Sequence, residues 1–105
     1  MLMTSLHGKA ELDVQYLMGV APGIATEFWE VAGQDFGSDL NSWTTTLLST
    51  VDPPLVWSVS YGWQGNLSDV HITESDVAAV EFNLAQLAAR GFSIMFSSGD
   101  SGSGM

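Results

Sequence analysis

The sequence predicts an α/β fold, a parallel sheet flanked by helices, on three observations. Helix-like and strand-like segments alternate along the chain, the order that strands joined by crossover helices require. The strand-like segments are short, apolar and stopped by Gly, Pro or small polar residues. Hydrophobic residues make up 46% of the 105, with four Trp and five Phe, which supplies a core and argues against disorder.

Residues 8–20 read as a helix, started at Gly8 and stopped by Ala21-Pro22-Gly23. It is apolar on most sides, which predicts a buried helix. Residues 24–32 read as a strand and 33–38 as a loop. A second helix is expected over 39–51, with Ser38 or Asp39 as N-cap, before Asp52-Pro53-Pro54 breaks the chain. Residues 55–61 form a strand, β-branched at Val56 and Val59, and residues 62–71 a polar loop carrying Trp63. The clearest helix covers 74–89. Thr73 and Asp76 make a capping-box start, Val77, Val80, Leu84 and Leu87 mark one face, and Gly91 follows as the C′ residue after Arg90. Residues 92–96 are a short strand feeding the turn at Ser97–Gly104. Three parallel strands make a poor stand-alone unit, since parallel sheets need both faces covered. The chain is therefore expected to be part of a larger domain.

Composition narrows the partners. Two basic residues stand against twelve acidic ones, a formal charge of -10. Lys9 and Arg90 belong to no basic patch, which argues against nucleic acid and anionic membranes. No cysteine is present, so there is no disulfide framework and no thiolate site. His7 and His71 are too isolated for a zinc motif, and no metal site is expected in the chain. No apolar run reaches the ~18 residues of a membrane span, and the first residues lack the pattern of a signal peptide.

Two stretches could carry chemistry. Gly99-Asp100-Ser101-Gly102 can present Ser101 as a nucleophile, with Ser98 and Ser103 as further hydroxyls, or Asp100 as a stabiliser of charge. The serine reading needs a histidine base held by a carboxylate, and neither histidine is placed for it by its neighbours. Asp13 lies on the apolar first helix, either on its wet edge or facing a cleft. Ser60-Tyr61-Gly62 is either a plain strand end or a substrate-binding edge, and Trp63 a subsite wall or a loop aromatic. Asn66-Leu67-Ser68 is an N-glycosylation sequon. Trp29, Trp43 and Trp57 read as core, and Glu27, Glu30 and Asp35 as a solvated rim.

Four ordered motifs carry a family resemblance: Ala10-Glu11-Leu12-Asp13-Val14-Gln15-Tyr16-Leu17-Met18, Ser58-Val59-Ser60-Tyr61-Gly62, Ala88-Ala89-Arg90-Gly91 and Ser98-Gly99-Asp100-Ser101-Gly102. Together they resemble the serine-carboxyl peptidases, the sedolisin family, in order and approximate spacing. The resemblance implies part of a subtilisin-like catalytic domain. It implies hydrolysis of peptide or protein substrates at acidic pH, by removal of tripeptides from free N-termini or by internal cleavage. It also implies a lysosomal or secreted parent. It assigns Asp13 to orienting the general base, Asp100 to the oxyanion hole and Ser60, Tyr61 and Gly62 to substrate. The family has Glu four residues before that Asp, on the same helix face, whereas this chain has Lys9. Glu11, two helical steps away, points elsewhere. A lysine there is expected to pair with Asp13. The family's S-G-T-S nucleophile motif and its calcium-binding segment do not occur in these residues, so calcium is expected only in a full-length domain, and the chain alone is expected to be inactive. The alternatives are a degenerate relative that binds peptide or a partner without cleaving, and an unrelated α/β module that binds a small ligand at the S-G-D turn.

Overall fold

The computed structural model describes residues 2–3, 7–31 and 35–102. In chain order the elements are β1 (Leu2–Met3), α1 (His7–Val20), β2 (Phe28–Trp29), α2 (Phe36–Ser49), β3 (Val56–Val59), a 3-10 turn (Leu67–Val70), α3 (Glu74–Ala89) and β4 (Ser93–Phe96). The alternation is the expected one, and the fold is α/β.

All strand pairs are parallel and the order across the sheet is β2-β1-β3-β4. The sheet therefore has four strands rather than three. The additional one, β1, is two residues long and sits between β2 and β3, with Leu2 and Met3 opposite Ser58 and Val59. The chain steps outward from β1 to β2, then crosses back to β3 and β4. Right-handed crossovers in opposite directions put α1 on one face and α2 and α3 on the other.

Side chains follow that division, because successive strand residues point to opposite faces. Trp57 and Val59 are fully buried with Trp43 and Leu47 of α2 and Leu87 of α3, and Ile94 of β4 packs against them. Three edge-on aromatic contacts hold this cluster: Trp57 with Trp29 at 4.9 Å, Trp57 with Trp43 at 5.4 Å and Trp43 with Phe96 at 6.3 Å. The expected core tryptophans are thus core residues. The Trp57 indole donates to the Pro54 carbonyl at 2.6 Å, tying the strand to the break before it.

Helix α3 has the bounds its sequence predicts. Thr73 caps it and Asp76 returns a bond to the Thr73 N–H at 2.9 Å. Beyond Ala89 the Phe92 N–H reaches the Leu87 carbonyl at 3.2 Å and the Gly91 N–H the Ala88 carbonyl at 3.0 Å. That is a Schellman motif, and Gly91 supplies its left-handed residue at φ 91°. The Arg90 guanidinium donates to the Leu48 carbonyl of α2 at 2.7 Å, tying the end of α3 to that helix. Helix α2 begins earlier than expected, because Asp35 and not Ser38 or Asp39 is the N-cap; its carboxylate accepts from the Ser38 N–H at 2.9 Å. Asp35 is exposed, as the solvated-rim reading expects, and caps the helix as well. Within the described residues β2 covers only Phe28–Trp29 of the strand expected over 24–32.

Helix α1 departs most from expectation. It packs by Asp13, Val14 and Leu17, while Leu12, Tyr16, Met18 and Val20 are exposed. An apolar composition shows that a helix can be buried on several sides; only α1's sheet-facing side meets other described residues.

Candidate functional site

Residues 13, 16, 17 and 20 recur at helical spacing and share one face of α1. That face and the ends of β3 and β4 enclose an open cavity of about 430 Å³, lined by Asp13, Tyr16, Leu17 and Val20 from the helix, by Ser58 and Val59 of β3 and Met95 and Phe96 of β4, and by Ser60 and Ser97 just beyond those strands. Ser58 of β3 and Ser60 just beyond it reach the cavity because alternate residues face α1, while the Trp57 and Val59 side chains pack in the core and Val59 borders the cavity as well. Such a volume suits a small ligand or a few residues of peptide. It opens beside the point where the chain reverses its winding direction, the crevice at which open α/β sheets bind ligands.

Asp13 is half-buried, and its Oδ2 is shut off from solvent with no hydrogen-bond partner among the described residues. Asp13 thus faces the cleft and not the wet edge. A carboxylate oxygen buried without a donor is costly, on the order of 1–3 kcal/mol or more. The backbone of Lys9 lies one helical turn earlier in α1; its side chain, and with it the expected pairing to Asp13, falls outside the described residues. Glu11 is exposed.

The turn after β4 is built by two left-handed glycines, Gly99 at φ 67° and Gly102 at φ 59°. The Ser97 N–H continues the β3–β4 ladder to the Val59 carbonyl at 3.0 Å, so the turn starts from a fixed point. Asp100 is exposed within it. It does not line the Asp13 cavity, which ends at Ser97, three residues back along the chain. Asp13 and Asp100 therefore stand on neighbouring elements and not in one closed pocket. Ser98 and Ser101 are exposed as well, and Ser103 lies outside the described residues.

Of Ser60, Tyr61 and Gly62, only Ser60 lines the cavity. The Tyr61 side chain crosses to the α2 face, where its hydroxyl donates to Asp39 Oδ2 at 3.0 Å and its ring meets Phe36 edge-on at 5.1 Å. Any contact of Tyr61 with a ligand in the cavity is thus left to its backbone. Gly62 is exposed with open space around its Cα. Trp63 is exposed in the same loop.

Sequence reasoning missed Gln64. Its Nε2 donates to the Gly102 carbonyl at 3.1 Å, and its side chain lies so close to Gly99 that a Cβ there would come within 2.9 Å of it. Gln64 thus braces the S-G-D turn from the β3 loop. Ser58 could have been found by stepping back two residues from Ser60; nothing local marks Gln64.

No group of three or more His, Cys, Asp or Glu side chains among the described residues could hold a metal ion. These described residues do not fit a calcium site. No described helix is long and apolar enough to cross a membrane.

No family model matches the chain, and no solved structure matches it. Curated relatives do. The chain is 37% identical over 98 residues to tripeptidyl-peptidase 1 of Macaca fascicularis and of Homo sapiens. It is 37% identical over 97 residues to tripeptidyl-peptidase 1 of Dictyostelium discoideum. In each case the match takes in 91% of this chain and 16% of the relative. The chain thus spans about a sixth of the length of the curated relatives it matches. Over nearly all of its own length it resembles the sedolisin-type peptidases through tripeptidyl-peptidase 1.

Proposed function

We propose that the chain is part of the catalytic domain of a serine-carboxyl peptidase of subtilisin-like architecture, contributing half of an active site that cleaves peptide or protein substrates at acidic pH. The observation that carries this reading is the Asp13 carboxylate, shut in and, among the described residues, unpartnered at Oδ2 on the wall of the cavity between α1 and the ends of β3 and β4. In that reading Asp13 orients a general base that takes the proton of a serine supplied from outside these residues. Asp100, as a neutral carboxyl, donates to the oxyanion that forms at the scissile carbonyl. A carboxyl group can donate only when protonated, which ties the chemistry to low pH. Ser60 and the Tyr61–Gly62 backbone offer polar groups to an extended substrate. Whether the parent removes tripeptides, as the relatives' name says of them, or cuts internally, its compartment is lysosomal or secreted.

Lys9 stands where the resemblance places the base, and this favours a second reading: a relative that has lost catalysis and binds peptide or a protein partner. The two readings agree that the isolated chain does not turn over. Purified chain incubated at acidic pH with peptides bearing free N-termini should release nothing above a blank, and hydrolysis by the chain alone would contradict both. They differ for the peptide itself. A catalytic remnant lacking most of its subsites should bind peptide weakly, whereas a binding module should show saturable affinity that falls on substitution of Ser60.

A further inference from the structure

The loop between β3 and α3 holds a feature that the peptidase reading does not use. Residues 62–69 are all exposed, and within them Asn66-Leu67-Ser68 has the N-x-S pattern that oligosaccharyl transfer recognises. The chain has three asparagines, and the other two are occupied. Asn83 Nδ2 donates to Asn41 Oδ1 at 3.3 Å and to Thr44 Oγ1 at 3.1 Å, bridging α3 to α2. Neither begins an N-x-S/T triplet. Asn66 sits at the N-cap of the 3-10 turn with an extended backbone, φ -74° and ψ 136°, yet its side chain makes no capping hydrogen bond. Asparagine at such a position ordinarily accepts a backbone N–H at its side-chain carbonyl oxygen. Here the exposed side chain makes no such bond, so a glycan can be carried without breaking a capping contact.

We infer that Asn66 is an N-glycan acceptor. Transfer joins Asn66 Nδ2 to the reducing-end carbon of a lipid-linked oligosaccharide; the lipid diphosphate leaves with the electron pair of the broken C–O bond, and the amide loses one proton. Ser68, exposed two residues on, supplies the hydroxyl the transferase requires. The inference rests on the secreted or lysosomal reading above, because transfer takes place in the secretory pathway. Its placement has a consequence for the site. Asn66 lies two residues from Gln64, which holds the Gly102 carbonyl at 3.1 Å, so the glycan would stand beside the S-G-D turn.

The test is to express the full chain behind a cleavable secretion signal in a eukaryotic host, with an independent sequon in a C-terminal tag as internal control. Peptide N-glycosidase converts each glycan-bearing Asn to Asp, and peptide mass reads every site separately. Conversion at Asn66 is expected in the unaltered chain and in Ser68→Thr, and is expected to vanish in Asn66→Gln and Ser68→Ala while the control site stays converted. An unmodified Asn66 beside a converted control overturns the inference. Transfer acts on the nascent chain, so a variant that folds poorly is still read. Because the signal is supplied, failure at Asn66 leaves the peptidase reading untouched, and failure of that reading leaves acceptor competence measurable.

Discussion

Tyr61 and Asp39 show how single residues position the strand ends. Asp39 is 3% exposed and receives the Tyr61 hydroxyl at 3.0 Å, which fixes the residue just beyond β3 against the first turns of α2. Tyr61→Phe removes that donor and leaves the buried Asp39 with one bond fewer; a loss of about 1–3 kcal/mol is expected, read as a lower urea midpoint with an unchanged slope. Asp35 and Asp76 set an acid limb. Hydrogen bonds from the Ser38 side chain and backbone hold Asp35 below the ordinary value of 3.8, with the His71 charge a minor help. Thr73, through its side chain and then its backbone, does the same for Asp76. Both groups bind protons more weakly in the folded chain, so their stabilisation is complete above 3.8 and disappears as pH falls through the lowered folded values. Asp35→Asn and Asp76→Asn should each flatten the acid limb of a stability-versus-pH curve; a limb unchanged in both would contradict this. At this scale the sequence was partly legible. Asp13 and Leu17 share a helix face by spacing alone, and Ser60 follows from its strand. Gln64 was not legible, because its partner is a backbone oxygen 38 residues away.

The elements were readable wherever their signals were local. Helix α3 carries its capping box, its apolar face and its Gly91 stop within the segment from Thr73 to Gly91, and it has the bounds expected of it. Thr73→Ala should cost about 0.5–2 kcal/mol, and Gly91→Ala should destabilise because φ 91° strains any residue with a Cβ; chemical denaturation measures both. Leu87, fully buried between α2 and the sheet, should cost about 2–5 kcal/mol on truncation to Ala. The signal failed where an element depends on distant neighbours. Strand β1 is two residues long, too short for any periodicity, and exists by pairing with β2 and β3. The exposure of α1 was hidden for a related reason: an apolar helix announces that it can be covered, while the covering is decided by what packs against it.

For the whole molecule, surface area measures that missing cover. The chain exposes 6991 Å², against roughly 5,700 Å² for a compact monomer of 11.2 kDa. Its radius of gyration is 14.1 Å, where about 13 Å is usual for this length. Exposed apolar side chains contribute to it, among them Leu12, Tyr16 and Val20 of α1, Val56 of β3 and Met95 of β4. The isolated chain is therefore expected to self-associate as concentration rises, and to unfold below about 50 °C. Sedimentation across a dilution series and a thermal scan check these, and a monomer that melts cooperatively well above that temperature would contradict them. We propose that this unit is half of a peptidase site in which Asp13 orients the base and Lys9, standing at the base's position, cannot serve as that base. It is tested most directly by exchanging the chain for its counterpart in human tripeptidyl-peptidase 1 and measuring tripeptide release at acidic pH. With Lys9 the chimera should be inactive, Lys9→Glu should restore turnover, and adding Asp13→Asn should lower it again by about 10²- to 10⁴-fold. Turnover that is equal with Lys9 and with Lys9→Glu, or undiminished by Asp13→Asn, would contradict the account.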